Sequence, residues 1–278
     1  MQNIKLINGN PGLQNNKLIN KLKSNWQHIF WTVVAFATVI IIWQAAATLT
    51  YAKAILPGPD KVFSEFFKSF YIPIGRYTLL GHIGWSLYRV FVGFCIASTL
   101  GIIVGLAMGW SRFAEAVISP IFEWLRPIPP LAWIPLAILW FGIGETTKYF
   151  IIFIATFTNV TLNSYTGAKQ VDPVLIGASR MLGAKGNQVF TRIVLPSSVP
   201  QIFAGLQLGL STSWMAVLAA EMVRSSEGTG WIIIMGMNTG NTTQIIVGII
   251  SIGIVGLFLA TIMRGVERKL CSWNIRGT

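Results

Sequence analysis

Six stretches of roughly twenty apolar residues run along the chain, near 29–50, 82–109, 115–142, 149–168, 198–222 and 243–264. Polar or charged connections separate them. A helix needs about 20 such residues to cross about 30 Å of hydrocarbon. The pattern therefore predicts an all-α, polytopic membrane protein with about six transmembrane helices. The third stretch carries Pro127, Pro129, Pro130 and Pro135. Each proline removes a backbone hydrogen bond, and unsatisfied carbonyls are costly in lipid. That stretch is expected either to break and face protein or a water-filled cavity, or simply to kink around its neighbours.

The connection at 169–197 is polar, basic and far longer than two membrane helices need. Asp172-Pro173 is a helix start, with Asp as cap and Pro in the first turn. Gly183 can take a positive φ and end that helix. Asn187–Val194 can form a second helix, and Pro196 and Pro200 suit the start of the next span. The expected result is a helix–glycine–helix elbow presenting Arg180, Lys185 and Arg192 to a partner or to lipid headgroups. Residues 60–71 place Val62, Phe63, Phe66, Phe67 and Phe70 on one helical face behind a possible Asp60 cap, which predicts an interfacial amphipathic helix.

Lysines and arginines orient the chain. With the N-terminus in the cytoplasm, thirteen lie on the cytoplasmic side and six outside, leaving Arg89 and Arg126 inside spans. The positive-inside rule favours cytoplasmic termini and a cytoplasmic 169–197 loop. The expected division is a cytoplasmic segment at 1–28, a transmembrane domain at 29–264 and a cytoplasmic tail at 265–278. The polar lead before Ile29 and the lack of a small-residue cleavage site argue against a removed signal peptide.

Composition agrees. The chain is 53% hydrophobic and 11% charged, with 11 Trp and 17 Phe, against about 25% charge in soluble domains. The net charge of +12 is scattered between apolar spans, so it reads as topology and not as a nucleic-acid surface. Cys95 and Cys271 suggest neither a disulfide nor a metal site. His82 and His28 show no metal-ligand spacing. No Gly-rich phosphate loop occurs, and no nucleophile–base pair suggests chemistry in this chain.

Glu221 is an intramembrane carboxylate, which is expensive and needs a partner or water. Arg224, Arg89 and Arg126 are its candidate partners, in a structural ion pair or a gating role. Asn159, Asn163, Ser211, Thr212, Ser213 and Trp214 could hydrogen-bond a small oxyanion, or pack between helices. Gly93, Gly101, Gly105 and Gly109 predict a close helix approach.

The interval Gly177-Ala178-Ser179, then Gly183, then Ile193-Val194-Leu195-Pro196 resembles the cytoplasmic loop of binding-protein-dependent ABC importer permeases. That family's pattern is Glu-Ala-Ala, three residues, Gly, nine residues, Ile-x-Leu-Pro. Gly177 and Ser179 depart from it. The run from Arg126 to Lys148, above all Trp140-Phe141-Gly142-Ile143-Gly144-Glu145-Thr146, is similar to the nitrate, sulfonate, taurine and bicarbonate branch, and most of all to taurine-type permeases. Trp214 with Ala219-Ala220-Glu221 is a third match. The resemblance implies the type I importer permease fold in the bacterial cytoplasmic (inner) membrane, working as a homodimer. Two ATPase subunits would dock through Asp172, Gly177, Ala178, Ser179, Arg180, Gly183, Lys185, Arg192, Leu195 and Pro196. An extracytoplasmic binding protein would deliver substrate to a pathway involving Pro130, Trp133, Asn159, Asn163, Ser211, Trp214 and Glu221. ATP and Mg would belong to the ATPase, with no cofactor on this chain. Taurine or another aliphatic sulfonate is the implied substrate; nitrate, bicarbonate or another small organic solute is the alternative. An ATP-independent secondary transporter is the rival, although the paired intramembrane charges and inverted repeat it calls for are not evident.

Overall fold

A computed structural model describes residues 11–49, 55–223 and 225–270, with side chains from Ile29 onward. Arg224, Cys271 and the rest of the tail lie outside the described residues, as do the first ten residues. Helices account for nearly all that is described, and no strand occurs among those residues.

Two compact units divide the chain at Phe63. The first contains α1 (Pro11–Leu49), whose apolar run Ile29–Leu49 is long enough to cross a membrane. Trp43 Nε1 donates to the Pro57 carbonyl at 3.1 Å within this unit. Helix α2 (Pro59–Lys68) begins here and ends in the second unit. Val62 is buried on it, whereas Phe63 and Phe67 are exposed. The predicted apolar face is thus split between packing and surface.

The second unit is built on α3 (Leu79–Trp110), α6 (Glu145–Lys169) and α9 (Leu195–Val223). Helix α6 is the centre and packs along both others. A side-chain carbon on Gly93 would lie 2.6 Å from Ile152 Cγ2, and one on Gly205 would lie 2.6 Å from Asn163 Cβ. The backbones therefore approach as closely as small residues allow. Besides α1, three runs combine the length and apolarity to span: Leu79–Trp110, Gly186–Val223 and Thr242–Leu270, the last forming α11. Helix α6 is 25 residues long, but Asn159, Asn163 and several threonines lower its hydropathy. It tolerates them because its neighbours are α3 and α9 instead of lipid.

The third apolar stretch is not one helix. It divides into α4 (Arg112–Leu125), a tight 3₁₀ turn at Pro130–Trp133, and α5 (Ile134–Phe141). Pro129 and Pro130 cannot donate to a continuing helix, while Pro135 sits in the first turn of α5, where its missing N–H is harmless. Gly142, at φ +75°, closes α5. With 14 residues, α4 spans only about 21 Å. The remaining elements are α7 (Pro173–Met181), α8 (Gly186–Val189) and α10 (Thr229–Asn238), which pairs with α11.

The elbow departs from expectation at its second half. The segment 187–194 is not a separate helix: α8 runs through a π turn at Phe190–Val194 straight into α9. The Leu195 N–H bonds Phe190 O, five residues back. This one-residue widening lies just before Pro196, whose missing N–H could not have sustained regular α geometry.

Candidate functional site

At the inner end, by the charge orientation, the elbow is made by local chemistry. Asp172 Oδ1 accepts from the Val174 N–H at 2.8 Å and caps α7. Gly183, at φ +83°, turns the chain, and the Ala184 N–H bonds Ser179 O at 3.0 Å. Ile176, Ala184, Phe190 and Ile193 anchor the elbow on a core of Leu106, Ala168, Val189, Val194 and Ile202. Arg180, Lys185 and Arg192 are exposed, with Gly177 and Pro196; Ala178, Ser179 and Leu195 are half-buried. Sequence reasoning passed over the apolar part of this surface. Met181 and Leu182 are 85% and 89% exposed, and Val174 is 72% exposed. Bare apolar side chains at the tip of a polar loop were the available signal. On the neighbouring α4, Glu115 accepts from Lys169 Nζ at 2.6 Å and from the Tyr165 hydroxyl at 2.7 Å, both on α6. Those two hydrogen bonds hold the Glu115 carboxyl below its usual range.

The candidate pathway residues fall in separate places. Asn159 Nδ2 donates to Thr212 Oγ1 at 3.1 Å, and Asn163 Oδ1 accepts from Gln201 at 3.1 Å, so both asparagines tie α6 to α9. Ser211 and Trp214 line a groove of about 290 Å³ between α9 and α11, with Gln207, Met215 and Arg264. Ser213 is buried and bonds Leu210 O. Pro130 and Trp133 belong to the 3₁₀ turn, where the Trp133 Nε1 is buried without a hydrogen-bond partner among the described residues.

Glu221, at the outer end of α9, is in a fourth place. His82, Ser86 and Arg89 follow one another at helical spacing along one face of α3. Arg89 is fully buried and holds three carboxylates: Glu145 through Nε at 2.6 Å and Nη2 at 2.8 Å, Glu221 through Nη1 at 2.8 Å, and Glu227 through Nη2 at 2.9 Å. Nη1 also donates to the Glu227 carbonyl at 3.1 Å. Glu221 further accepts from Ser86 Oγ at 2.9 Å and from the Gly230 N–H at 3.0 Å. Lys148 donates to Glu145 at 2.7 Å and to Ser225 Oγ at 3.0 Å.

The elbow between α9 and α10 is laced to α3 by the same row. Gly228 N–H donates to His82 Nδ1 at 3.0 Å and Thr229 N–H to Ser86 Oγ at 2.9 Å. Since His82 Nδ1 accepts, its Nε2 carries the hydrogen and donates to Ile74 O at 2.9 Å. The His82 ring stacks on Trp231 at 5.1 Å. Of the arginines considered for Glu221, Arg89 pairs with it and Arg126 lies by Glu123 at 3.8 Å instead, while Arg224 is outside the described residues. Sequence reasoning missed Ser86, Glu145, Lys148 and Glu227. A polar stripe at 82, 86 and 89 within an apolar span was the available signal.

Among the described residues, four helices are long and apolar enough to span a membrane and α6 packs closely between α3 and α9 through glycines, the build of a multi-pass membrane protein. The chain belongs to the binding-protein-dependent transport system inner membrane components, whose family model matches residues 97–270. The taurine transport system permease protein of Escherichia coli is 34% identical over 269 residues, covering 94% of this chain and 98% of that protein. A putative ABC transporter permease protein of Methanocaldococcus jannaschii is 36% identical over 94% of this chain and 98% of its own length. The nitrate import permease protein of a Synechocystis strain is 37% identical over 81% of this chain and 83% of its own. The inward-facing MetNI methionine ABC transporter shares the fold, with TM-score 0.61 and 20% identity over 69% of this chain and 95% of that one. The protein is thus an ABC importer permease of the inner membrane.

Proposed function

We propose that this chain carries a small anion, first taurine or another aliphatic sulfonate, and works as a homodimer with one ATPase subunit on each copy. Nitrate, bicarbonate or another small organic solute is the alternative cargo. The near full-length similarity to a taurine permease carries the reading. The bare apolar tip at Met181 and Leu182 supports an ATPase as the elbow's partner.

In this reading the permease has no catalytic site or cofactor of its own, and ATP and Mg are held by the ATPase. An extracytoplasmic binding protein delivers substrate to the outer end. The transmembrane domain is 29–264 with its coupling loop at 169–197, between cytoplasmic segments at 1–28 and 265–278. Helices α6 and α9 leave the two ends of the elbow and meet again at the Arg89 cluster. Each is a stiff rod of roughly 37–44 Å. Movement of the elbow when the ATPases close is therefore delivered to the outer end as displacement of two rods. The pathway residues Pro130, Trp133, Asn159, Asn163, Ser211, Trp214 and Glu221 would act along that motion.

Gentle purification from the membrane followed by native mass spectrometry tests the assembly. Two copies of this chain with two ATPase subunits is the expected mass. A chain that never retains an ATPase, even after crosslinking at Arg180 or Lys185, contradicts it.

A further inference from the structure

Both cations of the outer cluster direct donors at one short loop. Arg89 Nη2 holds Glu227 Oε1, Arg89 Nη1 holds Glu227 O, and Lys148 Nζ holds Ser225 Oγ. Three oxygens of the 225–227 loop are thus gripped by two positive groups. We propose that these residues are a built-in stand-in for a three-oxygen anion. Arg89 and Lys148 then form a transient anion site at the outer mouth, unmasked when the loop leaves. The inference rests on the reading of the chain as an anion importer, and it deepens it: sulfonate and nitrate groups each carry three oxygens.

The carboxylates around Arg89 are not equivalent. Glu145 lies on α6 and keeps Lys148 as a second cation. Glu221 lies on α9, fully buried, and keeps Ser86 and the Gly230 N–H. Glu227 is on the loop, its side chain is 15% exposed, and among the described residues its only other side-chain partner is the adjacent Ser226. Of the three carboxylates described around Arg89, it is the one carried by a loop and not by a helix.

Charge balance points the same way. Among the described residues three carboxylates face two cations, so the closed cluster does not favour a further anion. Withdrawing Glu227 leaves two against two, with Arg89 donors unpaired in a buried place, a costly state that an arriving anion relieves. Exchange of one anion for another keeps the charge constant. Substrate and loop therefore compete for the same donors, and the outer loop moves only when cargo is present.

The experiment uses the permease with its ATPase in nanodiscs, with Cys95 and Cys271 replaced by serine and a spin label on Ser226→Cys. Methanesulfonate, nitrate and chloride are titrated at constant ionic strength, and ATP-driven substrate uptake by the same protein is measured in vesicles. The label is expected to become mobile with methanesulfonate or nitrate at about tenfold lower concentration than with chloride. Glu227→Gln should lower the midpoint about tenfold, because an amide holds a guanidinium less strongly than a carboxylate. Lys148→Gln should raise it about tenfold. Should Lys148→Gln not assemble, Glu227→Gln decides alone, since its side chain lies on a loop. A response that does not distinguish the three anions, or a midpoint unmoved in Glu227→Gln, overturns the anion site even when uptake is normal. Loss of ATP-driven uptake for every anion overturns the importer reading separately.

Discussion

The carboxyl group of Glu221 occupies the space that a side chain on Gly228 would fill. Gly228 also sits at φ +116°, a region that residues with a Cβ rarely enter. The α9–α10 elbow can close over a buried carboxylate only because this position is glycine. Gly228→Ala should lower thermal stability by at least the roughly 1–3 kcal/mol of such strain, read as an earlier melting transition in detergent. Gly177→Ala is the control. Nothing lies within 4 Å of a side chain there, in the interior of α7, and its melting should equal or slightly exceed the parent's.

Arg89 satisfies three carboxylates from a buried position. Arg89→Met should cost about 3–5 kcal/mol, because it leaves buried carboxylates uncompensated. Arg89→Lys should not restore stability, since one ammonium cannot reach three carboxylates in the guanidinium's fork geometry. Chemical denaturation of the purified permease reads both. Glu221→Gln keeps the size and one acceptor, so it should assemble while weakening substrate-stimulated ATP hydrolysis. Unchanged stimulation would leave Glu221 as packing.

The elbow offers a cleaner separation of docking from folding. Gly183, at φ +83° and with nothing within 4 Å of where a side-chain carbon would sit, is glycine for its backbone and not for space. Gly183→Val should therefore abolish ATPase retention while the permease still inserts, and Gly183→Asn should retain docking because Asn tolerates that conformation. Met181→Glu should also lose the ATPase without changing the permease's melting temperature. Pull-down of the ATPase checks all three; normal retention by Gly183→Val and Met181→Glu would remove the elbow from the interface.

Glu115 carries the pH prediction. Its carboxyl is held below the usual range by hydrogen bonds from Lys169 and then Tyr165. A lowered folded value means the contribution is present above the unfolded carboxylate value of about 4.3. It is lost as pH falls through the folded value. Melting curves from pH 6 down to pH 3 should show wild type losing stability faster than Glu115→Gln. Parallel curves would mean the α4–α6 pair contributes nothing.

Local signals in the sequence were legible because they act over a few residues. Asp172 does cap α7, Gly183 does turn the chain, and the glycines of α3 do meet α6 closely. The proline-rich third stretch was expected to be irregular, and Pro127, Pro129 and Pro130 fall in the break between α4 and α5, whereas Pro120 lies inside α4. The Arg89–Glu221 pair joins residues 132 apart, and no local pattern encodes which buried arginine meets which carboxylate. The same holds for Lys148 and Ser225, which only the packing of α6 against α9 brings together. The π turn before Pro196 was hidden for a different reason. Proline announces that a hydrogen bond is missing, but not whether the helix stops or widens by one residue.

ATP-driven uptake tests the central claim most directly. The permease, its ATPase and its binding protein are placed in vesicles and supplied with labelled taurine, a second sulfonate or nitrate. Uptake should require ATP on the elbow side and should persist when the proton gradient is collapsed. Uptake that survives complete ATP depletion but stops with the proton gradient would contradict the account.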